Sequence, residues 1–482
     1  MRQSSTTRLP LRFLLGTSLL GIAVQALAAD QDVAITVYRS DSDALFVGGG
    51  SPVADGYAVV HESRSVQLTG GRQSISIDGL PTTLDPEAVA LEIGEADILA
   101  QRVLSAGDGG TLAAHRGERV EVTAINSVTV SGVLIGIDGD GISLRDESGS
   151  VRYVRNFASV RFLESTGRSG SVLQVTVDGS GGTVPATLTY PTSGLGWRAA
   201  YSALLESSSG CRLRLDALAS IANRSGRDYD AATLKLVAGE PNRVKQTGPQ
   251  PGAMRAMAME ASADAMPTQS SLSDFRVYTL EGSLDLPDAS VTQAPLYPSR
   301  ELECERTWLF ENGQRWAPDK PYIVPGNDGR SSATVVSKLR FATKENLPAG
   351  TLRVLTRDAD SHIEFVGEDR VPDTGQGRSV SLTLGNAFDL SGSRERTAFS
   401  VDRAAHQMNE AFRITLENTG ELSRTVTVRE HPYRWRNWSV ASSSQKAAKQ
   451  SADTLDFAVS VPAKSKVNLD YAIDYSWLAG DE

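Results

Sequence analysis

The sequence has few residues of the kinds that usually hold a catalytic metal. Its five histidines are isolated along the chain, and no two stand at a helical metal-binding spacing: His61, His115, His362, His406 and His431. His61-Glu62 lacks the second histidine of a zinc-protease motif, and two distant cysteines do not make a structural zinc site. We therefore expect neither a histidine-built metal centre nor a cofactor.

Basic charge and long apolar runs are also scarce. Lys and Arg number 48 against 58 Asp and Glu, and the balance is about −13 without the three arginines of the N-terminal segment. This balance opposes nucleic-acid binding, which needs a basic surface. Beyond the N-terminus, nothing approaches the ~18 consecutive apolar residues of a transmembrane helix. We expect no nucleic-acid partner and no membrane span in the mature chain.

The N-terminal segment has the order of a secretory signal peptide. Three arginines precede the apolar stretch 13–24, and Ala26 and Ala28 form a small-residue cleavage signal. An uncleaved membrane anchor is the alternative, although the stretch is short for a bilayer. No cysteine near the cleavage site offers a lipid attachment point. We predict that residues 1–28 are removed and that the mature protein is periplasmic, with secretion as the alternative.

The chain has two cysteines, Cys211 and Cys304. Two thiols can pair in an oxidising compartment. In the chain-entropy model, a disulfide that closes so long a loop stabilises the folded protein by up to about 5 kcal/mol. The alternative is two separately buried thiols, because pairing depends on geometry that a sequence does not show. A Cys211–Cys304 disulfide and two free thiols are both open predictions.

Short runs of alternating apolar and polar residues, separated by Gly, Asn, Asp and Pro, predict an all-β protein. We expect an N-terminal β domain over 30–106 and a small SH3-like barrel over 110–166, built from five short strands joined by tight turns. β-sandwich layers follow over 170–482. A flexible Met/Ala/Pro-rich insertion occupies 241–273, and the glycine-rich stretch 48–52 predicts a flexible loop tip.

Two strands of the last region end in similar turn signals, 223–226 and 418–420, each followed by another strand. Asn and Gly adopt left-handed backbone conformations at little cost, so these signals predict hairpins within stacked sandwich layers. An internal duplication has only weak support from the sequence.

Four of the six methionines lie in the insertion: Met254, Met257, Met259 and Met266. Thioethers are soft ligands that select monovalent copper, so an exported flexible segment of this kind predicts copper capture. The alternative is an Ala/Met-rich loop, or a short apolar helix packed on its own protein, because methionine packs adaptably.

Aromatic and arginine side chains concentrate at one place: Tyr433, Arg434, Trp435, Arg436 and Trp438. Such residues combine large contact area with directional polar groups, which suits stacking on sugar rings or anchoring a protein. The alternative is an ordinary strand face in which Tyr433 and Trp435 are core while Arg434 and Arg436 are exposed.

Two other motifs have structural interpretations that we favour. Asp138 and Asp140 resemble the start of a calcium loop, but they stand between two predicted strands and lack the later ligands, which favours a hairpin turn. Ser443 and Lys446 have serine-x-x-lysine spacing, yet their segment is polar and the companion lysine-threonine-glycine motif is absent from the sequence.

Several segments resemble a known family. The resemblance rests on YPTSGLGWRAAY (190–201), NRSGRDYDA (223–231), LVAGE (236–240), LPAGTLRV (347–354), FVGED (365–369), LGNAFD (384–389) and YAIDYSW (471–477), with shorter segments at 59–64 and 84–86. With these segments the chain resembles the bacterial family called domain of unknown function 4139. The resemblance implies an exported all-β protein of unestablished activity and supplies no catalytic or metal-ligating residues.

The leading functional hypothesis is a non-catalytic binding, scaffold or assembly protein of the cell envelope, with another envelope protein or a glycan as partner. It rests on the abundance of β modules, the acidic composition and the lack of a strong catalytic motif. The alternative is an envelope hydrolase of polysaccharide or peptide, with Glu368 and Asp369, or Asp389, as general acid and base. That alternative requires two carboxylates in one cleft with aromatic walls. The sequence does not indicate an oligomeric state.

Overall fold

The computed structural model of this chain consists almost entirely of β-strands. It describes residues 32–104, 112, 116–138, 140–163, 170–206, 210–239, 268–272, 275–311, 315, 318–326 and 330–481. Helical structure in these ranges is limited to short elements such as α1, Asp43–Phe46. The all-β prediction is confirmed. In the described ranges, no helix has the length and apolar character that a membrane crossing requires.

Ten strands precede residue 163. They are β1 Val33–Tyr38, β2 Ala58–Leu68, β3 Gly71–Leu80, β4 Ala90–Ile93, β5 Asp97–Leu104, β6 Arg119–Ala124, β7 Thr129–Asp138, β8 Gly141–Arg145, β9 Val151–Arg155 and β10 Phe157–Phe162. The next nine are β11 Ser171–Gly179, β12 Gly182–Thr192, β13 Leu195–Glu206, β14 Arg212–Asn223, β15 Tyr229–Ala238, β16 Thr268–Leu272, β17 Phe275–Leu286, β18 Ser290–Glu311 and β19 Ser331–Ala342. The last nine are β20 Gly350–Arg357, β21 Ile363–Val371, β22 Ser379–Asp402, β23 Gln407–Asn418, β24 Arg424–Glu430, β25 Trp438–Ser443, β26 Lys449–Gln450, β27 Leu455–Val461 and β28 Ser465–Ser476.

Two sheets join early and later parts of the sequence. A seven-stranded sheet has the order β16-β17-β15-β1-β2-β12-β4, in which β1 lies parallel to β15 and antiparallel to β2. A three-stranded sheet has the order β3-β11-β5. The strands of segment 33–104 therefore complete sheets whose other strands come from segment 171–286.

The largest sheet connects two hydrophobic cores through its two longest strands, β18 and β22. Its path runs β21-β20-β13-β14-β18-β19-β22-β23-β28-β25, and β24, β26 and β27 branch from β18. The first part of β18 pairs with β14, and its end pairs with β19 and β24. One core extends from Val33 to Leu384, and the other from Phe310 to Trp477. We call them the first and second cores.

A separate five-stranded sheet, with the order β10-β6-β7-β8-β9, has its own small core. The five predicted strands of the small barrel are all present. Closure into a barrel is wrong, because β9 and β10 are the two ends of this sheet. Asn156 alone connects them, at a φ of 51°, and one residue is too short for a hairpin that would pair the consecutive strands. The sheet is therefore open.

This small sheet is inserted into a hairpin. Residue Leu104 of β5 lies opposite Val172 of β11 in an antiparallel pair, and the whole small sheet lies between them in sequence. The methionine-rich segment has a similar position, since Ala238 of β15 lies opposite Arg276 of β17. Both long insertions thus begin and end at neighbouring positions of a sheet.

Segment 223–226 forms hydrogen bonds with the loop that carries the glycine-rich stretch. The guanidinium of Arg224, which is 5% exposed, donates to the carbonyl oxygens of Leu45 and Gly50 at 2.6 and 3.1 Å. The Ser51 hydroxyl donates to the carboxylate of Asp288 at 2.7 Å. These contacts fix the loop that the sequence predicted as a flexible tip.

Two groups of strands, one around Asn223 and the other around Asn418, are built alike. Asn223 ends β14 and Asn418 ends β23, and both side chains are buried. The Asn223 amide donates to the carbonyl of Leu286 at the end of β17, and the Asn418 amide donates to the carbonyl of Val461 at the end of β27. Neither asparagine stands in a hairpin, because β14 does not pair with β15, nor β23 with β24. The hairpin prediction for these turns is wrong, because each turn connects two consecutive strands that do not pair with each other.

The turns that lead into β18 and β28 repeat the same details. Ser290 begins β18 opposite Asn223, and Ser465 begins β28 opposite Asn418. The preceding residue is left-handed in both, with φ of 56° and 55°, and each serine hydroxyl donates to the carbonyl three residues before it. Strands β13-β14-β15-β17-β18 therefore correspond to β22-β23-β24-β27-β28, which supports an internal duplication.

Candidate functional site

The outer face of the last four strands of the large sheet is lined by short polar side chains. Side chains alternate between the two faces of a strand, so residues opposite each other in register share a face. The register places Ser400 of β22 beside Asn409 of β23, Asn409 beside Asp474 of β28, and Asp474 beside Ser439 of β25. One polar row therefore crosses all four strands.

A second polar row lies two residues further along each strand. Asp402 pairs with Gln407, and Gln407 pairs with Ser476. Asn437 continues this row, since its side-chain amide donates to the Ser476 hydroxyl at 2.6 Å. The two rows line a concave surface with a volume of about 370 Å³, to which Met408, Trp438 and Tyr475 also contribute. We call this surface the polar concavity.

Hydrogen bonds within the polar concavity hold its groups in place. The Asn409 amide donates to the Asp474 carboxylate at 2.7 Å, and the backbone N–H of Ala405 donates to the Asp402 carboxylate at 3.0 Å. The side-chain amide of Gln407 has no hydrogen-bond partner within the described ranges. The described lining contains two carboxylates and no lysine or arginine. The concavity is thus a negatively charged surface on which both carboxylates are held by hydrogen bonds and the Gln407 amide is free.

A buried ion pair lies beneath this face. The Tyr475 hydroxyl donates to Glu410 at 2.9 Å, and the Arg434 guanidinium donates to the other oxygen of the same carboxylate at 2.6 Å. Burial, together with the negative charge of Glu410, raises the pKa of Tyr475 well above its usual range. Arg434 also donates to the carbonyls of Tyr322 and Val324. This cluster anchors β23, β28 and the segment 318–326 to one another.

The aromatic and arginine cluster predicted as a binding surface is mostly inside the protein. Tyr433 and Trp435 are 4% and 3% exposed, and Arg434 is fully buried. The side chain of Arg436 is 76% exposed and contacts Asp481. Trp438 is half-buried, and its indole N–H donates to the carbonyl of residue 452 at 2.8 Å. The alternating-face prediction is wrong for Arg434, because residues 431–437 are not a strand.

Residues 186–477 match the family described as a domain of unknown function, DUF4139. The chain belongs to the DUF4139 family. No curated protein matches the chain. The polar concavity, the buried ion pair beneath it and both asparagine-centred strand sets lie inside the DUF4139 match. The segments 59–64 and 84–86, which the sequence comparison also included, lie before it.

The two cysteines, for which a disulfide and two free thiols were both open, lie within the DUF4139 match. Cys211 and Cys304 form a disulfide with a Cα–Cα distance of 4.9 Å, across a sequence separation of 93 residues. Cys211 precedes β14 and Cys304 belongs to β18, and the Cys304 amide donates to the Cys211 carbonyl at 2.9 Å. The disulfide therefore closes the end of the β14–β18 ladder. The copper candidates Met254, Met257, Met259 and Met266 lie outside the described residues.

The carboxylates proposed for hydrolysis do not meet in a cleft of the DUF4139 structure. Glu368 of β21 is 49% exposed and pairs with Arg353. The Asp369 carboxylate accepts hydrogen bonds from the backbone of Arg370 and Thr383. Asp389 belongs to β22 and does not line the concavity. The two carboxylates that do line the polar concavity together are Asp402 and Asp474. Sequence reasoning missed them because only strand register brings them together.

Three other polar groups have ordinary structural surroundings. The Asp138 carboxylate accepts hydrogen bonds from the backbone of Asp140 and Gly141 between β7 and β8, which confirms the hairpin turn. The Ser443 hydroxyl donates to the carbonyl of Gln445, on an exposed segment. An exposed turn carries Asp358, Asp360 and His362 close together, and it closes on itself through backbone hydrogen bonds to Asp358.

Two further carboxylates are buried with arginine partners. Glu62 lies 2.9 Å from Arg227. Burial opposes its ionisation, but the hydrogen bond and charge of Arg227, together with Arg64, lower the pKa of Glu62 below its usual value. Glu430 accepts hydrogen bonds from Arg394 and Tyr471, yet full burial raises its pKa. Neither carboxylate lines the polar concavity, so both are structural groups.

Proposed function

We propose that this DUF4139 protein is an exported, non-catalytic binding protein of the cell envelope that holds a glycan on the polar concavity. The observation that carries the proposal is the pair of polar rows on β22, β23, β28 and β25. Amide and hydroxyl groups both donate and accept hydrogen bonds, as sugar hydroxyls do, and the ionised carboxylates accept them. A concave surface lined by such groups suits a ligand that is itself rich in hydroxyls.

The charge of the concavity narrows the glycan class. Asp402 and Asp474 repel an anionic polymer, and no described lining residue supplies a compensating positive charge. Neutral sugars and sugars with a free amino group are therefore the expected ligands. A carboxylate is also a strong acceptor for sugar hydroxyls, because hydrogen bonds to charged groups are stronger than those between neutral groups.

The same geometry favours binding over hydrolysis. Asp474 is engaged by Asn409, and Asp402 is engaged by a backbone N–H, so both carboxylates already have stabilising partners. Tyr475 and Trp438 are also among the residues that line the concavity, but the Tyr475 hydroxyl donates to Glu410 and the Trp438 indole N–H donates to the carbonyl of residue 452, so both polar groups are already engaged. Hydrolysis remains the second candidate because two carboxylates line one concavity.

Binding is tested with neutral and amino-sugar oligosaccharides of the cell envelope, by calorimetry on the purified mature chain. Gln407→Ala removes a free amide from the concavity, and we expect roughly 5- to 10-fold weaker binding, the value of about one hydrogen bond. Asn468→Ala is the matched control, because Asn468 is an exposed amide on β28 outside the concavity. Equal affinity of Gln407→Ala and wild type for every bound sugar would contradict the proposed site.

Hydrolysis is tested on the same sugars by following reducing-end release. Turnover by the wild type that disappears in Asp402→Asn would replace the binding proposal with the hydrolase. Retention of an envelope protein by chemical cross-linking, with no sugar bound, would instead favour the scaffold form of the hypothesis.

Export has its own test. Cell fractionation and the intact mass of the protein should show a periplasmic chain that begins at residue 29, because cleavage is expected after Ala28. A chain found in the medium supports secretion, and a membrane-bound chain that keeps residues 1–28 contradicts cleavage.

A further inference from the structure

Two arginines flank one tryptophan on the large sheet. The guanidinium carbon of Arg424 lies 4.5 Å from the centre of the Trp308 ring, and that of Arg306 lies 5.9 Å from it. Both distances are within the range of cation–π attraction. Arg306 is exposed, while Trp308 and Arg424 are half-buried. The three side chains therefore form a partly desolvated cationic cluster that solvent still reaches.

Strand register explains why the two arginines are neighbours. Strands β18 and β24 run parallel from the pair Trp308–Val426 onward. Arg306 and Arg424 each precede that pair by two residues, so they leave adjacent strands on the same face. Like charges at neighbouring cross-strand positions are destabilising. This arrangement leaves a repulsion in the isolated protein.

The cluster lies where the two hydrophobic cores meet. Leu339, opposite Arg306 on β19, belongs to the first core, and Phe310, two residues after Trp308, belongs to the second. Ser337 lies opposite Trp308, and Gly385 of β22 lies opposite Ser337. No atom lies within 4 Å of the position that a Cβ would take on Gly385. Open space is thus present in the row beside the tryptophan.

Neither arginine of the cluster forms a salt bridge with the described residues. The Arg306 guanidinium donates a long hydrogen bond, 3.4 Å, to the Ser337 hydroxyl. By contrast, Arg227, Arg394 and Arg434 all pair with buried carboxylates. Although the side chain of Arg306 as a whole is exposed, partial desolvation of its guanidinium and then the charge of Arg424 lower its pKa. In a chain with ten more acidic than basic residues, two adjacent arginines without a carboxylate call for an external anion.

We propose that Arg306, Arg424 and Trp308 form a binding site for an oxyanion, either a carboxylate or a phosphate group. Guanidinium groups recognise these anions through paired N–H donors, and stacking on an aromatic ring holds the donors in place. A bound anion also removes the repulsion between the two arginines. The site is independent of the polar concavity, which is negatively charged and belongs to the outer face of other strands.

The test measures binding of inorganic phosphate and of succinate to the mature protein at constant ionic strength, with chloride as the reference salt. Calorimetry should detect at least one of the two anions, and the thermal midpoint should rise with that anion and not with chloride. Arg306→Gln and Arg424→Gln should each weaken binding about tenfold or more, as expected for a charged hydrogen-bonding group. Arg353→Gln is the matched control, because Arg353 is an exposed arginine already paired with Glu368.

The two arms identify the chemistry of the ligand. Binding of phosphate alone assigns the site to phosphorylated ligands, binding of succinate alone assigns it to carboxylates, and binding of both supports a general oxyanion site. Binding of neither anion, or an equal loss in Arg353→Gln, would overturn the proposal. Folding of the variants is checked in chloride, where removing one arginine should leave the thermal midpoint unchanged or raise it, since the repulsion is gone.

Discussion

Replacing Arg434 with leucine tests the buried ion pair beneath the polar concavity. The Arg434 side chain is fully buried, and its carboxylate partner Glu410 is 1% exposed. Leucine removes the positive charge and the donors to Glu410, Tyr322 and Val324, but leaves the carboxylate in place. The variant therefore contains an uncompensated buried charge.

The expected loss follows from that geometry. Breaking a buried pair by removing one partner costs about 3 to 5 kcal/mol, because the remaining charge stays desolvated. The Tyr475 hydroxyl still donates to Glu410 and partly compensates its charge. We therefore expect a loss of unfolding free energy near the middle of this range, about 4 kcal/mol. Removing an exposed pair costs at most about 1 kcal/mol. Arg413→Leu is therefore the control, since the Arg413–Asp470 pair is half exposed on the same sheet.

Urea unfolding monitored by tryptophan fluorescence gives the free energy of unfolding of both variants. The value to compare is that of the transition in which the second core unfolds. The double variant Glu410→Gln with Arg434→Leu should recover part of the loss, because it removes the unpaired charge. A loss in Arg434→Leu no larger than that in Arg413→Leu, or a double variant less stable than Arg434→Leu, would refute the reasoning.

Three further predictions concern stability. Asn223→Ala and Asn418→Ala should each lower the free energy of unfolding by about 1 to 3 kcal/mol, since buried carbonyls lose their donor; a large loss at only one of them, by chemical denaturation, would contradict their equivalence. Replacing both Cys211 and Cys304 with alanine should cost up to about 5 kcal/mol by the chain-entropy relation, and a thiol assay of the unreduced wild type should find no free thiol. The lowered pKa of Glu62 means that its carboxylate stabilises the fold above the unfolded-state value of about 4.3. The stability difference between wild type and Glu62→Gln should therefore shrink as the pH falls through the lowered folded pKa; a constant difference from pH 3 to 7 would contradict this assignment.

Local sequence signals predicted the strands well. All five strands of the small sheet were placed by alternation and by tight turns, and the Asp138–Gly141 hairpin followed from its residue types. These features depend on residues close in sequence. Whether the small sheet closes depends on the relative positions of β9 and β10, which alternation does not encode.

The candidate site could not be predicted in the same way. Asn409, Asp474 and Ser439 meet only through the registers of two different strand pairs. Arg434 was assigned to the surface because arginine is usually exposed and its neighbours were treated as a strand. It is buried because Glu410 supplies a counter-charge from a strand more than twenty residues away.

The internal duplication was hidden for a related reason. Its two copies share only part of their sequence: the turns before Ser290 and Ser465 both begin with proline and contain the same serine contact, but their two central residues differ. The left-handed residue is Ala289 in one copy and Lys464 in the other, so the same backbone conformation occurs with unlike side chains.

The insertion of the small sheet between Leu104 and Val172 gives this chain a modular construction. The ends of the inserted unit meet at one pair of neighbouring backbones, and the entropy of closing a loop grows only slowly with its length. A two-residue turn joining β5 to β11 would therefore serve the host sheets as well as the whole small sheet does. The small sheet is therefore a self-contained module, whose removal would leave the pairing of β5 with β11 in place.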